Sequence, residues 1–307
     1  MKWMDERTSK TQIIATMAIL SALVAALSAF CAVFPWGMPI LTFLAPLASV
    51  FVALTCPGSS LPLFVVSALF TSFLTSFFDV QGLLFYLLPA LILGATYGFM
   101  IRKKYNFPQI LFWSAMVECG LFFLSIPISK LIYGITFYDV FSSPIFWGKS
   151  TYASFIFPLF CLAYSFGQSL ITHLFTSLVF GNRYLHHISD IPKDSFLAIG
   201  GVVSLTVLVF FSRVYIGVSY MGLGCLFFFC VASFLGFHSL SKWQIGIYVL
   251  ALFVSILLFA SLYSLFPSGF GLLLFAIPFS SILAINLGYL ALRNGRANNK
   301  MERQWHS

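Results

Sequence analysis

The chain has 307 residues, 60% of them hydrophobic and 8% charged, with a formal charge of +8, and its mean hydropathy is +1.00. These values exclude a water-soluble domain and describe an all-α polytopic protein for which the lipid bilayer takes the place of a water-excluded core. Nucleic acid is excluded as a partner despite the positive charge, because the cations are scattered over short segments between apolar runs and form no basic patch with interleaved aromatics.

The first apolar run, IIATMAILSALVAALSAFCAVFPW at 13–36, places alanine at 15, 18, 22, 25, 29 and 32, with Ala26 beside them. Steps of three and four residues carry the ~3.5-residue period of a seam held against a left-handed partner helix. Two readings stay open: the alanines pack inside the chain, or Ala18, Ala22 and Ala26 present a face to another protein. LSAFC, from Leu27 to Cys31, has the outline of a lipoprotein cleavage site. Bulky Phe30 stands where a small residue is needed, however, so the helix is expected to be a retained anchor.

Apolar runs between polar, Pro or Gly breaks predict helices at about 13–34, 39–55, 61–78, 82–101, 107–129, 151–180, 196–212, 220–240, 244–265 and 270–292. That gives ten spans, with eight as the alternative. The second run is short and holds Pro39 and Pro46, which also suits a broken or re-entrant segment. With a cytoplasmic N-terminus, thirteen of the 16 cations fall inside, and Lys130, Lys149 and Arg213 fall outside. This bias orients both termini to the cytoplasm and suits a bacterial inner membrane. The expected organisation is a cytoplasmic N-terminus (1–12), a six-helix membrane domain (13–180), a cytoplasmic linker (181–195), a four-helix membrane region (196–292) and a basic cytoplasmic tail (293–307). The outer segment 130–150 is rich in aromatics, including Tyr133, Phe137, Tyr138, Phe141, Phe146 and Trp147. It reads as a membrane-skimming loop or as a cap over a cavity.

Ionisable groups at mid-bilayer are costly and draw attention by default. Glu118 lies near the middle of the fifth run, ~21 Å from Lys104 at ~1.5 Å per residue. On the sixth, Gln168 and His173 lie ~22 and ~15 Å from Arg183 by the same rise. If these helices are antiparallel neighbours, Glu118 can accept a hydrogen bond from His173 or Gln168, and the three form either structural glue or a substrate or proton site. Asn286 is expected to hydrogen-bond across helices. Asp79 and Arg213 are expected to snorkel at outer helix ends. The adjacent His186 and His187 do not share a helix face and have no further ligand at metal-site spacing, and the six cysteines lack CxxC spacing. No HExxH, GxSxG or GxxxxGK[ST] occurs. Neither an enzyme nor a metal or other cofactor is therefore expected.

The order ATMAILSALVAALSAF, TFLAPLASVFVALTCPG, FDVQGLLFYLLPALILGATYGFMIRKK resembles the start of S components of energy-coupling-factor transporters, and most closely the YybS-like family of multi-pass membrane proteins. The likeness covers about residues 11–180 and ends in a P…LG…YG…RKK pattern on the fourth run. It implies a six-helix solute-binding fold, and a coupling and ATPase module as partner, docked on an AxxxA face at Ala18, Ala22 and Ala26. It implies no particular small-molecule ligand. The expected function is transporter-related binding or translocation of a small solute. The alternative is a non-transporting scaffold in envelope assembly.

Overall fold

In the computed structural model, residues 9–34, 37–77, 79–134, 150–180, 194–212, 214–235, 246–250, 253–254, 257 and 271–305 are described. Among them every regular element is helical, and six helices are long and apolar enough to cross a membrane. Ile40–Thr55 and Ser60–Thr75 are shorter apolar helices. The histidines 186 and 187, Arg213, the linker 181–193, the outer segment 135–149 and most of the run 244–265 lie outside the described residues. The chain forms two compact units. The first comprises Met1–Gly148 and Phe160–Asp190, and the second Lys149–Leu159 and Ile191–Ser307.

In the first unit, α1 (Lys10–Val33) and α3 (Ser60–Thr75) run side by side in the same direction. Ser21 and Ser67 share a hydrogen bond of 2.9 Å, Ser28 and Ser76 one of 3.3 Å, and the Thr75 hydroxyl donates to the Ala25 carbonyl at 3.4 Å. Hydroxyl pairs of this kind select a helix face where lipid supplies no hydrophobic drive. The buried face of α1 is therefore Thr16, Ser21, Val24, Ala25, Ser28 and Cys31. The alanine seam does not follow it. Ala25 is buried and Ala29 and Ala32 half-buried, whereas Ala15, Ala18, Ala22 and Ala26 are exposed. An unsupercoiled helix repeats every ~3.6 residues, so a 3.5-residue seam drifts by ~20° per heptad and cannot stay on one neighbour.

The closest backbone approach lies elsewhere. Helix α2 (Met38–Thr55) is continuous through Pro46, with no break of the re-entrant kind, and packs along α4 (Leu88–Arg102) in the same direction. A Cβ on Gly94 would fall 2.2 Å from the Pro46 carbonyl oxygen, and one on Gly98 would fall 2.6 Å from the Ala53 Cβ. The LG and YG pairs of the fourth run thus supply the small surface that α2 needs. At the end of this contact Arg102 Nη1 donates to the Cys56 carbonyl at 2.7 Å. The cation satisfies a carbonyl left over at the helix end and opposes the helix dipole.

Helix α4 is preceded by a short turn, Val80–Gly82, and a π-helical turn, Leu83–Leu87. Asp79 caps this start by accepting from the Gly82 N–H at 2.9 Å, a local role in place of the expected snorkelling. Leu88 N–H donates to the Leu83 carbonyl, five residues back, and Pro89 follows with no N–H to offer, so the turn is wide. At the other end Lys104 takes a left-handed φ of 61°. The N–H of Tyr105 donates to the Met100 carbonyl and that of Lys104 to the Ile101 carbonyl, the two bonds of a Schellman cap. Asn106 then caps α5 (Phe107–Tyr133) through Gln109 N–H. Helix α6 (Ser150–Phe180) joins the first unit from Phe160 onward.

In the second unit, α7 (Asp194–Phe211) and α8 (Ile216–Phe234) form an antiparallel hairpin, with the Ser219 hydroxyl donating to the Leu208 carbonyl at 2.6 Å. Helix α9 (Gly271–Trp305) runs beside α8. Asn286 Nδ2 donates to Ser233 Oγ at 2.5 Å and its Oδ1 accepts from the Tyr248 hydroxyl, so Asn286 does bond across helices.

Both units turn apolar side chains outward. Ile19, Leu23, Phe70, Leu178, Val202 and Phe210 are all exposed. Serines, threonines and Glu118 are buried, which is the reverse of a soluble protein and the arrangement a bilayer favours.

Candidate functional site

Helices α5 and α6 are antiparallel neighbours. Ser114 and Ser169, both fully buried, share a hydrogen bond of 2.5 Å, which fixes the register. The Phe107 and His173 rings meet at 4.4 Å on one side of it, and Phe122 and Tyr164 at 5.4 Å on the other. Glu118, one turn beyond Ser114, is therefore level with the stretch around Ser165. Gln168 lies within a turn of that level, and His173 about two turns away.

Glu118 has no exposed surface, and neither carboxylate oxygen has a hydrogen-bond partner among the described residues. Gln168 is buried within a turn of that level and directs its amide to α2: Nε2 donates to the Thr42 carbonyl at 2.9 Å, while Oε1 is unpartnered. The Thr42 carbonyl is open to this donor because Pro46, four residues on in α2, has no N–H with which to close the helical bond. The interior proline and the buried glutamine are one device.

His173 does not join Glu118. Its Nδ1 shares a hydrogen bond of 2.6 Å with the hydroxyl of fully buried Tyr97, and its ring packs on Phe107. The expected hydrogen bonds from His173 or Gln168 to Glu118 are thus not made. The register places His173 too far along α6, and the Thr42 carbonyl holds the Gln168 amide. Of the three residues singled out in the sequence, Glu118 and Gln168 lie within a turn of one another and His173 belongs to a separate tie with α4.

Sequence reasoning missed the extent of the polar interior. Ser165, Gln168, Ser169, Thr172 and Thr176 are all buried and recur at steps of three and four residues, one polar stripe along α6. The hydroxyls of Thr172 and Thr176 are unpartnered among the described residues. Their helical spacing was the available signal. One turn toward the α6 N-terminus from Gln168 lies a cleft of about 100 Å³, lined by Tyr86, Phe122, Phe160, Cys161 and Tyr164. Tyr86 comes from the π-helical turn, and Phe122 lies one turn along α5 from Glu118. Tyr164 hydrogen-bonds the Thr42 side chain and lies within electrostatic reach of Glu118. Thr42 therefore links the cleft wall to Gln168 through its hydroxyl and its carbonyl.

Among the described residues no group of three His, Cys, Asp or Glu side chains could hold a metal ion. The cleft lining is aromatic with one thiol, and Glu118 and Gln168 each stand one helical turn from a lining residue. Comparison with protein-family models, curated proteins and solved structures finds no match for the chain.

Proposed function

We propose that the first unit binds a small solute within its helical bundle and belongs to a transport system, with Glu118 and Gln168 as the polar contacts. One observation carries this reading: the Glu118 carboxylate is wholly buried and unpartnered among the described residues, one turn from an aromatic cleft. A buried carboxyl without a hydrogen-bond partner is costly in either protonation state, so chains retain one where it has work to do. His173, tied to Tyr97, serves as a structural support of α6 and is not a solute contact in this reading.

The topology proposed with it is ten spans with both termini in the cytoplasm of a bacterial inner membrane. Helix α2 supports it, since its 18 residues reach ~27 Å and it lies parallel to α4, as a crossing segment must. The exposed Ala18, Ala22 and Ala26 lie on successive turns of one face of α1, suited to close approach by a partner helix such as that of a coupling and ATPase module. The chain's resemblance to S components supports the same partner. A non-transporting scaffold would use the same alanine face and have no need of Glu118.

The test is native mass spectrometry of the protein in nanodiscs prepared from native membranes, wild type against Glu118→Gln and Ala18→Leu/Ala22→Leu/Ala26→Leu. The reading expects a retained small molecule that Glu118→Gln loses, and an ATPase module that the triple variant loses while keeping its solute. Absence of any bound solute, with Glu118→Gln indistinguishable from wild type, refutes it and leaves the scaffold.

A further inference from the structure

The unpartnered oxygens of Glu118 and Gln168 are all acceptors when Glu118 is ionised. Glu118 supplies two, Gln168 Oε1 a third, and the Gln168 amide nitrogen is committed to the Thr42 carbonyl. In its ionised form the Glu118 carboxylate, together with the Gln168 amide oxygen, calls for N–H or O–H donors carrying positive charge and repels an anion. An anionic solute, or one rich in acceptors, does not fit this level.

The adjoining cleft narrows the class. Its walls are the rings of Tyr86, Phe122, Phe160 and Tyr164 with the Cys161 thiol, and its volume of about 100 Å³ suits a body of a few carbons. Aromatic faces attract a cation and cover its apolar stem. The two halves lie in line: Glu118 and Phe122 are one turn apart on α5, and Gln168 and Tyr164 one turn apart on α6. The Phe122 and Tyr164 rings are in edge contact at 5.4 Å.

From this juxtaposition we infer that the site is built for a small primary amine in its ammonium form, the head held by Glu118 and Gln168 Oε1 and the apolar stem in the aromatic cleft. A primary ammonium offers three N–H donors to the three free acceptors and neutralises the carboxylate. A quaternary ammonium has the charge and no donor, and an alcohol has a donor and no charge. A bare alkali cation has no apolar stem to fill the aromatic cleft. The inference rests on the solute-binding reading above and specifies its chemistry.

Saturation-transfer NMR on the full chain in nanodiscs, with n-butylammonium as the probe and n-butyltrimethylammonium and n-butanol as matched controls, tests it. The expected result is binding of n-butylammonium at least about tenfold tighter than either control, falling by about tenfold or more in Glu118→Gln. Butyltrimethylammonium binding as well as the primary amine overturns it, and so does equal binding by wild type and Glu118→Gln. The analogue series needs only wild-type protein, so a folding defect in the variant does not blunt the test. If n-butylammonium fails to bind while native mass spectrometry still finds a Glu118-dependent solute, the amine assignment falls and the solute-binding reading stands. If both fail, Glu118 is a protonated packing residue and both readings fall.

Discussion

The Thr42 carbonyl shows how one residue's chemistry is settled by another far away in sequence. Pro46 opens the carbonyl within α2 and Gln168 closes it from α6. Replacing Gln168 by leucine removes the amide donor to the Thr42 carbonyl and is expected to cost about 1–3 kcal/mol of stability. Adding Pro46→Ala restores an N–H to the helical ladder. The double variant Pro46→Ala/Gln168→Leu is therefore expected to lose less than the sum of the two single losses, a coupling read by chemical unfolding in detergent. Additive losses would separate the two residues. The sequence displayed both residues but not their relation. Proline at 46 withholds the helical N–H from the carbonyl at 42 by simple counting, yet nothing local says which of several polar side chains reaches it. The bond between His173 and Tyr97 is hidden for the same reason: Tyr97 sits in an apolar run, and its hydroxyl gives no sign of a buried partner.

At the scale of elements, two small-residue faces that look alike in sequence have opposite environments. Gly94 and Gly98 meet the α2 backbone, and alanine at Gly94 would place its Cβ 2.2 Å from the Pro46 carbonyl oxygen. Gly94→Ala is expected to destabilise by about 3 kcal/mol, because two helices must part and neither contact atom is a flexible side-chain end. The exposed α1 face behaves differently. Ala18→Leu/Ala22→Leu/Ala26→Leu should change the stability of the isolated chain by no more than about 0.5 kcal/mol per site. Thermal melting of both variants in one detergent checks the contrast, and a triple variant that melts like Gly94→Ala would place the alanines in the fold's interior. At the cap of α4, Lys104→Gly should stabilise by about 1 kcal/mol, since glycine takes the left-handed φ without a Cβ clash. Helix existence was legible from the apolar runs because a membrane helix must satisfy its own backbone. The helix faces were not, since in lipid hydroxyl pairs and glycine contacts choose the neighbour, and hydropathy records neither.

For the whole molecule, the arrangement of the first unit constrains orientation. The parallel pairs α1 with α3 and α2 with α4 place the chain's start, the end of α2 and Arg102 on one side of the bundle. Cysteines introduced at Ser9 and Lys103 are therefore expected to react with a membrane-impermeant maleimide from one side, and one at Gly134 from the other. Labelling of Ser9 and Lys103 sites from opposite sides would refute the parallel pairing and with it the ten-span topology. The tie between Thr42 and the sixth helix also bears on how the protein is made. The donor for that carbonyl lies 126 residues downstream, so while the ribosome is still synthesising the intervening helices, α2 rests in the membrane without this donor to the second turn of the helix. The first unit can close only after the sixth helix has left the translocon, and a nascent chain stalled before Gln168 would present α2 to quality-control proteases as unfinished.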